Sequence, residues 1–401
     1  NMTHSTNSVL KVAIVHDYIK EYGGAERVLE SLHSVFPDAP VYTSVYLPKY
    51  LGPHRKRFVN WNIKTSWADV LPFRAKLISP IRLIAPTLFR SLDLSKFDVV
   101  IVSATGAYSP NTITTRSYKD SKKKAVHISY VHTPPRYLYG YETARNWKKN
   151  VLTRALGMLA IHWLRMVDFR SSQNVDHFIA NSEETKKRIK KFYKKDATVI
   201  YPPVDISSKY QVVSIKGENT KYRMHNTGYY LAGGRIARAK HPELIIKAFL
   251  QNGLPLKVFG KSFGGYESEL KSKIKNKISK IDFLGEVTDE EKDRLMVGAK
   301  AFVFASQDED FGIIPVEAMM AGTPVIAHRS GGVLETVIDG KTGLFFDELS
   351  SESINKAVKR FETLRQAQGK FDSDEIKQHA QKFSKARFEK EIKEFVESEM
   401  K

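Results

Sequence analysis

Short apolar runs alternate with helical repeats along almost the whole chain, and twice the pattern starts in the same way. Residues 12–16 form an apolar run that ends at Asp17; a turn at Gly23-Gly24 follows, and Ala25, Val28, Leu29 and Leu32 then repeat at helical spacing. Residues 229–232 restart the pattern, with a turn at Gly233-Gly234 and a helical segment over 242–250. Further apolar runs stand at 99–102, 126–131, 178–180, 256–259, 281–284, 301–304 and 324–327. Runs of this kind are buried on both faces, and helices between them make parallel βαβ units the natural reading.

A chain of 401 residues accommodates two such units of roughly 200 residues each. After Val199-Ile200-Tyr201 come Pro202 and Pro203, which cannot donate ladder hydrogen bonds, and then a polar stretch over 207–226. The expected architecture is therefore α/β, with two doubly wound Rossmann-like domains over 1–205 and 206–383, facing across a cleft where strand ends and glycine turns converge. In residues 384–401, Arg387, Lys390 and Lys393 interleave with Phe388, Ile392, Phe395 and Val396 in a last helical pattern.

Charge separates the two halves more sharply than hydrophobicity does. The formal charge is +20, and residues 1–205 carry 32 Lys and Arg against 16 Asp and Glu, whereas the remainder carries 32 against 28. An excess concentrated in the first half points to an anionic partner met there, either nucleic acid or a membrane surface, with a merely solubilising surface as the plain alternative. The absence of cysteine excludes a disulfide scaffold, a thiolate metal site and thiol catalysis. Residues 1–11 are short and polar and read as a flexible start rather than a signal peptide. The apolar run over 155–164 falls far short of the ~18 residues that span a bilayer.

One segment of the basic half could lie on a membrane. Pro72, Pro80 and Pro86 divide residues 67–92 into pieces that carry Phe73, Leu77, Ile78, Ile81, Leu83, Ile84, Leu88 and Phe89 among Arg74, Lys76, Arg82 and Arg90. Such a surface suits a membrane interface or the underside of the first sheet equally well. Residues 146–170, with Trp147 and Trp163, raise the same two possibilities.

The strongest chemical signal is Glu309-Asp310-Phe311-Gly312-Ile313-Ile314-Pro315-Val316-Glu317. A strand enters an acidic turn, a helix is expected to begin near Pro315, and Gly322 follows the helix end. The turn offers backbone N–H groups from Phe311 to Ile314 to sugar hydroxyls or phosphate oxygens, and the two carboxylates can accept hydrogen bonds from a polyhydroxyl ligand.

A Glu followed eight positions later by a second Glu, with Phe-Gly between, resembles the signature of the family 4 glycosyltransferases of the GT-B fold. The resemblance extends to Val15-His16-Asp17-Tyr18, Gly23-Gly24-Ala25-Glu26-Arg27-Val28, Tyr130-Val131-His132-Thr133-Pro134-Pro135-Arg136-Tyr137, Tyr201-Pro202-Pro203-Val204-Asp205 and Gly331-Gly332. Within the family the sequence looks most like the bacterial mannosyltransferases that build polysaccharides.

The resemblance implies a role for each matching residue. Glu309 is expected to contact the donor hexose and Glu317 the ribose of its nucleotide. Arg235 and Lys240 are expected on the donor diphosphate, with Asp310, Phe311, Gly312, Ile313 and Ile314 supplying the donor-binding turn. Gly23 and Gly24 would let backbone approach the donor phosphates, although a plain helix-start turn explains them too. His132, just past an apolar strand, would lie beside the transferred sugar, where a lone histidine is otherwise often structural. Arg136 and Tyr137 are candidates for acceptor-phosphate contacts or for a lid. Asp308-Glu309-Asp310 matches an Asp-X-Asp metal motif superficially, but Glu309 belongs to the glutamate pair and two cations already offset the diphosphate, so neither metal nor other cofactor is expected.

The implied activity is retaining, metal-independent transfer of mannose from GDP-mannose to a polyprenyl-diphosphate-linked glycan, with His132, Arg235, Lys240 and Glu309 as catalytic residues. An acceptor of that kind would account for the basic first half and place the protein in the cytoplasm, peripheral on the inner face of the cell membrane. The final helix, 384–401, is expected to return to the first domain. A UDP-sugar donor or a soluble acceptor is the alternative within the family. A nicotinamide oxidoreductase lacks its G-x-G-x-x-G fingerprint here, and no nucleic-acid-binding module accompanies the charge, so a basic binding protein without catalysis is the remaining different reading.

Overall fold

A computed structural model describes residues 10–116, 124–141, 151–206, 228–262, 265–274, 280–366 and 371–400. The first residues 1–9, Trp147 and the polar stretch 207–226 lie outside the described residues. The chain divides into two compact units, the first reaching residue 201 and regaining residues 388–401, the second covering 202–387.

The first unit is built on a seven-stranded sheet: β1 (Val12–His16), β2 (Val41–Thr43), β3 (Ile63–Thr65), β4 (Val99–Ala104), β5 (Val126–Val131), β6 (His177–Ala180) and β7 (Thr198–Val199). Its order is β3-β2-β1-β4-β5-β6-β7 and every pairing is parallel. Side chains alternate between the two faces of each strand. One face gathers Val12, Ile14, Val99, Ile101, Ile128 and Tyr130 under helix Gly24–Val35, whose Val28, Leu29 and Leu32 are buried. Helix Lys385–Ser398 completes that core with Phe388, Ile392 and Val396. The other face gathers Ala13, Val15, Val100 and Val102 with Ile81, Ala85, Leu88 and Phe89.

Residues 67–92 divide into a packed inner side and an exposed outer side. Their inner side chains pack in the core, while Trp67, Val70, Phe73, Leu83 and Ile84 are exposed, Val70 at 84% and Phe73 at 77%. The helix Val151–Ser172 likewise exposes Met158, Leu159, Trp163, Met166 and Phe169 while burying Leu164. Among the described residues no helix is long and apolar enough to cross a membrane.

The second unit repeats the plan with β8 (Tyr230–Gly233), β9 (Leu256–Phe259), β10 (Ile281–Gly285), β11 (Phe302–Phe304), β12 (Val325–His328) and β13 (Gly343–Phe346). The order is β10-β9-β8-β11-β12-β13, again all parallel. Tyr230, Ala232, Val258, Val303, Ile326 and Leu344 pack against Ile245, Ile246 and Phe249 of helix Pro242–Asn252 and against Ile354, Val358 and Phe361 of helix Ser351–Gln366. Both sheets reverse their strand order beside the first strand of the unit, at β1/β4 and at β8/β11. Those switch points lie where open parallel sheets leave room for ligands at the strand C-termini.

Candidate functional site

In the second unit, β11 runs into a turn that the sequence forces into an unusual shape. Asp308 has φ 51° and Gly312 has φ 89°, so the backbone enters the left-handed region twice before helix Ile313–Met320 begins. The helix starts two residues earlier than Pro315 suggests. Proline in the first turn is tolerated there because the leading N–H groups of a helix have no intrahelical acceptor. The turn is clamped by Gly331-Gly332: Gly332 N donates to Glu309 O at 2.7 Å, and a Cβ on Gly331 would stand 2.3 Å from that oxygen. Only glycine fits this approach, which ties the paired-glycine motif to the acidic turn. Gly234, after β8, meets the same helix from the other side; a Cβ there would lie 2.4 Å from Ile314 Cδ1.

These contacts bring Lys240 and Glu309 together. Lys240 closes the single helical turn Arg238–Lys240, and its ammonium contacts Glu309 Oε2, which also accepts a hydrogen bond from Ser306 Oγ at 2.6 Å. Both side chains keep part of their surface in solvent. The result is a carboxylate and a cation fixed at the mouth of a helix N-terminus, where backbone N–H groups favour negative charge. Arg235 is exposed just after the Gly233-Gly234 turn, and Asp310 stands partly exposed in the acidic turn. Phe311 is buried edge-on against Phe383, with ring centroids 5.6 Å apart.

Glu317 behaves differently from Glu309. It is 1% exposed, and its Oε1 takes a hydrogen bond at 2.6 Å from Lys292, itself buried on helix Asp289–Gly298. Asp289 Oδ1 lies 3.5 Å from the same ammonium. One glutamate of the pair is thus presented to solvent and the other is held inside by an ion pair. Lys292 carries no motif signal; it is the single lysine of a helix that opens on three acidic residues.

The first unit assembles its candidates at the C-terminal ends of β1, β4 and β5. Gly23 caps helix Gly24–Val35, with its N–H donating to Glu26 Oε2 at 2.9 Å, and Gly24 is the first helical residue. His132 follows β5. Its N–H donates to Ala104 O at 2.9 Å, and its carbonyl accepts from Asn181 Nδ2 at 2.8 Å. Its Nε2 lies 2.8 Å from Ser103 Oγ, which in turn lies 3.1 Å from His16 Nδ1. Burial, aided by the neighbouring His16, lowers the His132 imidazole to about 3, so the ring is neutral at physiological pH.

On the opposite face of the sheet, Asp17 is buried. Its Oδ2 accepts from the N–H groups of Thr105 and Ala107, both at 3.2 Å, and its Oδ1 has no hydrogen-bond partner among the described residues. Burial pushes this carboxyl up against the opposing pull of His16 and those hydrogen bonds. Arg136 lies over the Tyr141 ring, and Tyr137 lies under the Arg82 guanidinium at 4.1 Å with its hydroxyl buried and without a hydrogen-bond partner among the described residues. Tyr139 donates to Asp168 Oδ2 at 2.8 Å, and burial raises the Asp168 carboxyl to about 6. Ser103 carries no motif signal, whereas His16 and Asp17 stand in the Val15-His16-Asp17-Tyr18 motif without an assigned role.

Among the described residues, no three His, Cys, Asp or Glu side chains are grouped as metal ligands would be.

Known proteins share the fold and the sequence pattern. The family Glycosyltransferase Family 4 matches residues 22–208, and Glycosyl transferases group 1 matches residues 220–382. The chain is 25% identical to the Alpha-1,3/1,6-mannosyltransferase ALG2 of Mus musculus over 378 residues, covering 84% of each chain. The Mannosylfructose-phosphate synthase of Agrobacterium fabrum is 30% identical over 31% of this chain and 30% of its own. Among solved structures, Anabaena Alr3699/HepE in complex with UDP and glucose superposes with a TM-score of 0.65 at 18% identity, over 97% of this chain and all of that one. Sucrose-phosphate synthase from Thermosynechococcus elongatus gives a TM-score of 0.69 at 16% identity, over 97% and 98%. With two parallel Rossmann-like sheets, the acidic turn and both family matches in place, the chain belongs to the family 4 glycosyltransferases of the GT-B fold.

Proposed function

We propose that this glycosyltransferase moves mannose from GDP-mannose, with retention of configuration and without a metal ion, to a lipid-linked oligosaccharide in cell-surface polysaccharide synthesis. The observation that carries the sugar is the match over 84% of the chain to a mouse mannosyltransferase. Support for the chemistry comes from the second unit. Charge grows on the leaving diphosphate as the glycosidic bond breaks, and cations and backbone dipoles fixed in advance stabilise it there. Lys240, Arg235 and the first amides of helix Ile313–Met320 are such groups. The acceptor hydroxyl attacks from the face that the nucleotide leaves, and the departing phosphate takes its proton, so no enzyme nucleophile is needed. Glu309, with Lys240 and Ser306 on Oε2, orients a sugar hydroxyl.

The first unit supports a lipid-bound acceptor. Its charge is concentrated there, and Trp67, Val70, Phe73, Leu83 and Ile84 are exposed among Arg74, Lys76, Arg82 and Arg90. Aromatic and aliphatic tips beside cations suit the boundary of an anionic bilayer, consistent with a peripheral position on the cytoplasmic face of the membrane.

A thermal-shift panel of GDP-mannose, UDP-glucose, UDP-N-acetylglucosamine and the free nucleotides tests the donor. Selective stabilisation by GDP-mannose is expected, because a ligand stabilises the fold in proportion to its affinity. Stabilisation by a UDP-sugar alone refutes this donor. Transfer that EDTA abolishes and Mg²⁺ restores refutes the metal-free mechanism.

A further inference from the structure

Three adjacent strands of the first unit end in polar residues on the same face. Val12, Ile14 and His16 lie along β1; Val99, Ile101 and Ser103 along β4; Ile128 and Tyr130 along β5, with His132 next in the same period. The parallel register sets His16 opposite Ser103 and Ser103 opposite Tyr130. Helix Gly24–Val35 covers this face and brings Glu26 over His16, with Oε1 3.8 Å from His16 Nε2. A line of polar groups therefore runs Glu26, His16, Ser103, His132. His16, Ser103 and Glu26 are all buried.

With His16 uncharged, one internal direction leaves no lone pair facing the Glu26 carboxylate. A carboxylate accepts only, and a neutral imidazole has one N–H and one lone pair. Glu26 Oε2 takes the Gly23 N–H, and Oε1 faces His16 Nε2, which has no other partner among the described residues. The carboxylate favours an N–H at that nitrogen, since a lone pair pointed at it would be repelled. Nδ1 of His16 is then the acceptor, and the Ser103 hydroxyl, with a single proton, donates to it at 3.1 Å. Ser103 Oγ must accept from His132 Nε2–H at 2.8 Å. His132 Nδ1 is left with a lone pair. That nitrogen makes no hydrogen bond among the described residues and is not one of the buried atoms sealed away without a partner.

We infer that Glu26, His16 and Ser103 are positioning residues that lock His132 in the Nε2–H tautomer, so that Nδ1 accepts a hydrogen bond from a sugar hydroxyl and cannot donate one. The inference rests on the reading that His132 meets the transferred sugar. It adds the direction of the hydrogen bond and the residues that set it.

Long-range 1H–15N correlation spectra of histidine-labelled protein test it directly, with His132→Ala to identify the signal. The expected pattern is a protonated Nε2 and an unprotonated Nδ1 for His132. A proton on Nδ1, which a doubly protonated His16 would impose, overturns the inference. In Ser103→Ala the tautomer signal should become mixed and kcat should fall by about tenfold or more, while KM for the donor changes little. Ser103→Thr, which keeps the hydroxyl, should recover most of the loss. Glu26→Gln, which keeps an acceptor oxygen for the Gly23 N–H but removes the charge, should also mix the tautomers. An unchanged spectrum and unchanged kcat in Ser103→Ala refute the relay. Should Ser103→Ala fail to fold, the wild-type spectrum alone decides. Full activity in His132→Ala would instead refute contact between the ring and the sugar, and would leave the tautomer result standing.

Discussion

Lys292→Met should unfold the second unit at a markedly lower temperature, because it leaves the Glu317 carboxylate charged and sealed. The ammonium and Oε1 are 2.6 Å apart, with 9% and 2% of the two side chains exposed. At an effective dielectric of ~20, two unit charges at that distance attract by about 6 kcal/mol. Desolvation of both ions consumes much of this, yet removal of one partner from a buried pair still costs roughly 3–5 kcal/mol. For a unit of this size each kcal/mol moves the melting midpoint by about 2–4 °C, so the loss should be at least ~6 °C. Asp289 at 3.5 Å makes the pair asymmetric. Glu317→Gln leaves Lys292 with that second carboxylate and should destabilise less than Lys292→Met does. The double variant, which removes both charges, should recover most of the stability. Scanning calorimetry or circular dichroism, followed through the full melt in case the units unfold separately, measures all three. A midpoint for Lys292→Met within 2 °C of the wild type, or a double variant as unstable as Lys292→Met, would refute the argument.

Turnover offers a second test: Lys240→Ala should lower kcat by about 10²–10³, the scale on which a single preorganised stabilising group acts, and near-normal rates would remove Lys240 from the diphosphate. Asp168 should make stability depend on pH. Its carboxyl is raised from 3.8 to about 6, so the folded state binds the proton more tightly and stability should fall as pH rises from about 4 to 6. In Asp168→Asn, which keeps an acceptor for Tyr139, that slope should flatten; an unaltered slope assigns it elsewhere. Flotation with anionic liposomes at low salt should carry the wild type upward and leave Val70→Asp/Phe73→Asp behind, and equal flotation of the two would clear residues 67–92 of a membrane role.

Both parallel sheets were readable in the sequence because their central strands are long continuous apolar runs flanked by glycine turns and helical spacing. The strands without a sequence signal are β2, β3 and β13. β2 and β3 have three residues each, and β13 begins with Gly343, so no local period marks them; pairing with β1, β2 and β12 is what makes them strands. Residues 67–92 could not be divided from sequence, since the prolines hide the helical period that separates Leu88 and Phe89, inside, from Val70 and Phe73, outside. At the acidic turn, the motif pairs two glutamates but does not tell that Glu309 is presented while Glu317 is sealed. That difference depends on Lys292, 25 residues away in sequence. The tautomer line is hidden differently: His16, Ser103 and His132 are polar residues at the ends of separate strands, Glu26 stands on a helix, and only the parallel register and the helix above it put them in one row.

Helix Lys385–Ser398 gives the molecule an awkward birth order. Phe388, Ile392 and Val396 fill the core that begins with Val12 and Ile14, but they leave the ribosome only after the whole second unit has been made. The first sheet must therefore wait, with part of one apolar face uncovered, while some two hundred residues of another unit emerge and fold. During synthesis that face is a natural target for chaperones or for aggregation. A fragment ending near residue 205 should carry the same exposed face permanently.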